Sequence, residues 1–324
     1  MSKALKDSSP LVKQEGPEAS SLRRVLLIMW RQRALYLLVL PALALTIVFR
    51  YIPIYGLTLA FRDYNAALGP FKSPWTQPMF YNFFFFQDRE FWFVLANTVR
   101  IAALKFVTAW PAPIILALLL NEVSHNSYKR LIQTIMYLPH FLSWVILARI
   151  IYELLGWEPT SPINQLRAVF HLGPVALMGE KSAFIPILIV SNILKEVGWG
   201  TIIYLAAISR IDPELYEAAA ADGAGRWTRV WHIVLPGMLP IISILLVLSL
   251  PGILSAGFDQ IYNLMNATTA ELGYVTDIYV LRVGLIRGDF AFATAMGLVF
   301  SVLGLALVLT ANWISKSSTG TGIW

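Results

Sequence analysis

Four histidines and nineteen acids, with no cysteine, are the chain's stock of strong metal-ligating side chains. His125, His140, His171 and His232 stand far apart and match no helical zinc spacing, and without cysteine there is neither a thiolate site nor a disulfide. The nearest approach to a phosphate-binding loop, Gly179-Glu180-Lys181-Ser182, lacks the glycine beside the lysine and the loop upstream of it. No serine-nucleophile elbow and no HExxH stretch occurs. The chain is expected to be no enzyme, and to bind no metal or cofactor of its own.

Charge in apolar surroundings carries more information. Arg50, Arg100, Lys105, Arg149 and Lys195 lie within strongly hydrophobic runs against Glu153 and Glu196, an excess of three positive charges, five minus two. A charge facing lipid near the bilayer centre costs at least about 2.5 kcal/mol, so these groups should face a wet cavity, a partner or one another. Arg149 and Glu153 are spaced i, i+4 as a helical pair, and Arg50 sits near enough to a run's end to snorkel. Arg100, Lys105 and Lys195 are left as candidates to meet an anionic passenger. Trp144, Trp199 and Tyr204 offer flat faces of the kind that stack on sugar rings, and Asn192 can bond hydroxyls. Trp199 lies between Gly198 and Gly200, where a helix is expected to open its backbone toward a pathway.

These side chains need elements to hold them, and composition says what kind. With 57% hydrophobic and 14% charged residues, 324 residues carry more apolar surface than one soluble core hides. Residues 1–21 read as a disordered polar tail. Six runs are each long enough for the roughly 20 residues that a bilayer requires: 35–59, 91–120, 131–155, 184–208, 237–258 and 291–314. Arg23, Arg24, Arg31 and Arg33 precede the first. With both termini inside, the inner segments hold thirteen Lys and Arg and the outer ones seven, a bias that supports this orientation in an inner membrane. The outer segments 62–90, 156–183 and 259–290 should fold as short interfacial helices. Pro240, Pro251, Gly252 and Gly257 predict an irregular fifth span that lines a cavity.

One inner segment, 210–236, is unlike the rest, and its last twenty residues read EAAAADGAGRWTRVWHIVLP. Asp212 can cap a helix begun by Pro213 and Glu214, with Leu215, Ala218 and Ala219 on one face. Gly223 fits a left-handed stop. A second helix should present Trp227, Val230, Trp231, Val234 and Leu235 on one apolar face until Pro236 ends it.

This stretch resembles the EAA loop of bacterial ABC importer permeases: EAA, two residues, DGA, five residues, a hydrophobe, then IxLP. Glu217, Ala218, Ala219, Asp222, Gly223, Ala224, Ile233, Leu235 and Pro236 fall on that pattern; Val230 departs from the Phe usual in the carbohydrate branch, with the aromatic displaced to Trp231. The run from Pro78 to Thr98 is similar to the entry of the second span in that branch. Met136 to Val145, MYLPHFLSWV, resembles its subset for complex or acidic oligosaccharides, alginate importers among them.

The resemblance implies an all-α type I ABC importer permease fold. Six transmembrane helices would occupy the permease domain 22–314, with the coupling loop at 210–236 and a cytoplasmic tail at 315–324. It implies a second homologous permease, two cytoplasmic ATPase subunits carrying ATP and magnesium, and an extracytoplasmic solute-binding protein, with no nucleic acid. An ion-gradient-driven sugar transporter is the alternative, although that class has no use for an EAA loop.

Overall fold

The computed structural model describes residues 30–156 and 158–319, so the tail 1–21 and the last five residues lie outside it. Backbone that leaves water must bond to itself, and the apolar runs fold as helices. Among the described residues there is no sheet, only one antiparallel bridge between Arg62 and Trp75.

The described residues divide into two compact units, one up to Thr58 and one from Leu59 onward. In the first, α1 (Arg33–Thr46) contains Pro41 and runs into a π-helical turn, Ile47–Tyr51, that carries Arg50. The second unit holds α2 (Gly69–Lys72), α3 (Arg89–Ala109), α4 (Ala112–Asn121), α5 (Asn126–Tyr137), α6 (Trp144–Leu155) and α7 (Pro162–Val169). It continues with α8 (Lys181–Ile208), α9 (Pro213–Ala221), α10 (Arg226–Arg229), α11 (Leu235–Ser249), α12 (Phe258–Leu264), α13 (Thr276–Leu281) and α14 (Phe290–Thr319).

Five helical stretches are long and apolar enough to cross a membrane: Arg33–Phe61, Arg89–Asn121, Lys181–Ile208, Arg226–Leu254 and Phe290–Ser317. The sixth, expected as one helix over 131–155, is two arms, Asn126–Phe141 and Trp144–Leu155, meeting at 107°. Pro139 lies in a tight 3-10 turn, Leu142 and Ser143 are extended, and the Ser143 hydroxyl accepts the Ile146 N–H to start α6 afresh. The fifth span is irregular as expected: α11 holds Pro240 and tightens into a 3-10 turn over Leu250–Leu254. Gly257, at φ +90°, then turns the chain into α12, so the span ends at Leu254 rather than at Phe258.

Three cores hold the second unit. One gathers Ile101, Leu147, Ile151, Leu188, Ile261 and Ile278 about the second arm of the bent span. Another joins Phe85, Phe91, Tyr279 and Met296, and the third packs Ile114, Ala117, Tyr204, Ile208, Val234 and Met238. The first two reach the interspan segments, which contain the expected short helices and are tied down by buried polar groups. Asn97 donates to the carbonyls of Glu271, Leu272 and Tyr274, and the Thr98 hydroxyl accepts the Thr276 N–H at 2.8 Å. Tyr274 donates to Glu90 at 2.7 Å; burial, reinforced by that carboxylate, pushes its phenol up to about 12, keeping it a donor at physiological pH.

Candidate functional site

The segment 210–236 is built from local rules. The Asp212 carboxylate accepts the Glu214 N–H at 3.0 Å, and Pro213 opens α9 where its missing N–H costs nothing. Gly223 takes φ +75°, and the N–H groups of Gly223 and Ala224 close back on Ala220 and Ala219. Glu217, Ala218 and Asp222 are exposed along this hairpin, and Ala219 and Ala224 half-buried. Arg226 approaches Glu122 at 3.8 Å, joining the loop to the end of the second span. Burial, and secondarily Glu122, raises the Tyr216 phenol above its ordinary range.

Two expectations for the second helix need correction. Pro236 does not stop it: α10 passes through a π-helical turn, Val230–Val234, into α11, with Pro236 in its first turn. The Leu235 N–H reaches the Val230 carbonyl, and the widened turn makes room for a proline ring that an ordinary helix would crowd. Nor do the five apolar residues share one face. Val230 and Val234 are buried and Leu235 half-buried, whereas Trp227 is 75% and Trp231 64% exposed. Val234 enters the core with Ile114 and Met238, whereas the two tryptophans, four residues apart, stay exposed.

The second grouping lies in the middle of the spans, where two lysines each close a helix break. Lys195 is buried on α8 and donates to the carbonyls of His140 (2.8 Å) and Leu142 (2.5 Å) at the 107° bend, over the Trp144 ring at 5.5 Å. Lys105, buried on α3, donates at 2.5 Å to Ala256, where the fifth span gives way to α12. A bent or broken helix leaves carbonyls without partners, and an ammonium supplies donors that water would otherwise supply. Lys105 and Asn192 also line a cavity of about 230 Å³ together with Trp110, Glu196, Ser249 and Ser255. Glu196 pairs with His140 at 3.1 Å, whose ring stacks on Trp199 at 4.6 Å and 3°.

The remaining candidates do not gather there. Arg100 is exposed on α3, Tyr204 belongs to the core around Ile114, and Arg149 forms its i, i+4 pair with Glu153. The glycines around Trp199 open no backbone. Helix α8 is continuous, a Cβ at Gly198 would strike the Met136 carbonyl, and one at Gly200 would meet Pro113 at 2.8 Å. They are there for close helix approach. The sequence reading had no part for Ser249 and Ser255, and nothing in their spacing marks them; His140, one residue after Pro139 in an apolar run, was the available signal for the bend. Among the described residues no group of three or more His, Asp or Glu converges on a metal position.

Comparison with known proteins adds to this geometry. Residues 109–319 match the family of binding-protein-dependent transport system inner membrane components. The chain is 40% identical over 296 residues to Protein LplB of Bacillus subtilis (strain 168), covering 91% of this chain and 92% of that one. It is 39% identical over 302 residues to the polygalacturonan/rhamnogalacturonan transport system permease protein YteP of the same organism, covering 93% and 94%. Among solved structures it is similar to a chain of a bacterial ABC transporter involved in the import of the acidic polysaccharide alginate. The TM-score is 0.81 and the identity 38%, over 91% of this chain and 99% of that one. The alginate transporter in complex with alginate pentasaccharide-bound periplasmic protein matches equally, at TM-score 0.81 and 38% identity over 93% of this chain and 100% of that one.

Proposed function

The chain belongs to the binding-protein-dependent transport system inner membrane components, and we propose that it works as one permease of a two-permease importer for acidic oligosaccharides. Family membership makes it a multi-pass transport component of ABC importers and sets aside the ion-gradient-driven alternative. A second permease, two ATPase subunits holding ATP and magnesium, and an extracytoplasmic binding protein complete the machine. Closing of the ATPase dimer draws the loops at 210–236 together, and the spans rock to pass a saccharide inward.

The observation that carries this reading is the pair Trp227 and Trp231, held out from a helix whose other side is locked into a core. Two exposed indoles on a short, rigid hairpin are apolar surface that needs a partner. The residues of the EAA pattern in front of them, Glu217, Ala218, Ala219, Asp222, Gly223 and Ala224, give that partner a low-relief surface to approach. Leu235 and Pro236 pass its movement into α11. The direct test reconstitutes the chain with its permease partner, ATPases and binding protein and measures ATP hydrolysis. Stimulation by loaded binding protein is expected, and its absence would overturn the importer assignment.

The passenger is inferred from similarity to the alginate transporter and the polygalacturonan/rhamnogalacturonan permease. Within the spans the small cavity at Lys105, Asn192 and Glu196 is the contact region, whereas Lys195 is engaged with carbonyls and acts by holding Trp144 and the bend. An oligogalacturonate should stimulate hydrolysis more than a neutral oligosaccharide of equal length at saturating binding protein; equal stimulation would remove the acidic specificity.

The orientation follows the cations, with both termini in the cytoplasm of a bacterium and the permease domain at 22–314. Ser73 would be a poor labelling site, since it is 2% exposed and bonded to Gly69. A cysteine at the exposed Ala66 should react with an impermeant thiol reagent from outside, and one at the exposed Ser127 only after permeabilisation. The reverse pattern would invert the topology.

A further inference from the structure

The second span serves as a ruler for locating a cavity that the transport path above does not use. At its start Glu90 lies 4.0 Å from Arg287, and at its far end Glu122 lies 3.8 Å from Arg226 of the coupling loop. Arg287 therefore marks the end of the molecule away from the coupling loop, the outer end in the proposed orientation. Beside it is a cavity of about 640 Å³, within the size range of small-ligand sites. Its lining includes Arg62, Asp63, Tyr64, Trp75, Tyr81 and Arg287.

Its walls are stiffly built. Arg62 is 8% exposed, donates to the carbonyls of Phe71 (3.1 Å) and Ser73 (2.7 Å), and lies with its guanidinium 4.4 Å over the Trp75 ring. Asn82, also buried, donates to the carbonyls of Ala60 and Arg62, and the Thr76 hydroxyl bridges the carbonyls of Phe61 and Met79. The Asp63 N–H bonds to the Pro74 carbonyl at 2.9 Å beside the Arg62–Trp75 bridge. Loop backbone bonded this completely presents fixed side chains to the cavity. Tyr81 is 61% exposed, and the Arg287 side chain is 59% exposed.

We propose that this outer cavity binds one end of the transported oligosaccharide, at a subsite separate from the cavity between the spans. The chemistry points to a saccharide rather than to a protein loop or a lipid. Aromatic faces of Trp75 and Tyr81 suit the CH faces of a pyranose ring, and acids and arginines at the same wall offer acceptors and donors to a dense set of hydroxyls. Arg287 is the exposed cation of the wall and can make a bidentate contact with a uronate carboxylate. The proposal rests on the importer reading, and adds to it a place where a chain longer than the inner cavity can be held before it moves.

The test uses the intact importer in lipid nanodiscs, first without binding protein, and records saturation-transfer NMR from the complex to a tetragalacturonate probe. Transfer to the protons of a terminal ring is expected, falling about fivefold in Tyr81→Ala and in Arg287→Gln, the effect of losing one ring or ion contact. Both side chains are exposed, so neither variant threatens the fold. Loaded binding protein is then added to the same samples and ATP hydrolysis is measured. If the wild type hydrolyses ATP normally but shows no probe contact, or contact that neither variant alters, the subsite is refuted while the importer reading stands. Weaker retention of binding protein by both variants with unchanged probe contact would mark the cavity as a protein-docking surface, and refute it also. Wild type unresponsive to loaded binding protein would instead strike at the importer assignment.

Discussion

The loop at 210–236 and the two breaks within the spans both depart from regular helix, but they satisfy opposite demands. In the loop every backbone departure is closed by near neighbours: Asp212 caps Glu214, and Gly223 takes the left-handed turn. Its tryptophans are then free to face outward. At the breaks the departure is closed from another helix, by Lys195 on His140 and Leu142 and by Lys105 on Ala256. There charge is consumed in holding the fold. The comparison teaches that an ion in an apolar span need not point at a ligand, because a broken helix in lipid itself presents carbonyls that require a donor.

The sharpest way to break that comparison is at Lys195. Lys195→Met keeps the volume and removes the ammonium, leaving two carbonyls at the bend without it. Charge-assisted bonds contribute about 1.5–3 kcal/mol each, so the loss should reach about 3–6 kcal/mol, read as a lowered unfolding temperature in detergent. Lys105→Met removes one such bond and should cost roughly half as much. A Lys195 variant of unchanged stability that loses transport only for acidic saccharides would return this residue to the passenger. Next in size is Gly223→Ala. Nothing lies within 4 Å of the added Cβ, so the cost is that of the φ +75° backbone alone, about 1–2 kcal/mol.

How much of this was legible depends on the range of the interaction. The cap at Asp212, the turn at Gly223 and five of the six apolar runs are written within a few residues of where they act, and the structure has them. The bend at Leu142 was marked locally by no more than Pro139 and His140, because its partner, Lys195, is supplied some fifty residues later. Gly198 and Gly200 misled for the same reason: the sequence gives no sign that Met136 and Pro113 come against them. Trp227 and Trp231 were placed with Val230 and Val234 because period 3.6 was assumed where the helix widens to a π turn. Pro236, two residues beyond that turn, was the local sign that the period would not hold.

The smallest expected effect on stability belongs to the tryptophans, and it is the most informative about function. Trp227→Ala and Trp231→Ala remove side chains that are three-quarters and two-thirds exposed, so each should change the unfolding free energy of the permease by no more than about 0.5 kcal/mol. In the assembled importer the same pair would sit beneath an ATPase subunit. Aromatic anchors of an interface each contribute about 2 kcal/mol or more when truncated, so ATPase retention should weaken by more than tenfold in the double variant. Val234→Ala, on the same turn but buried, should do the reverse, lowering stability by about 1–3 kcal/mol while leaving whatever complex forms coupled. Measuring unfolding temperature and binding-protein-stimulated ATP hydrolysis on both sets separates the two faces of one helix. If the tryptophan variants hydrolyse ATP in step with loaded binding protein as the wild type does, the outward face is not the contact, and the coupling role proposed for this loop falls with it.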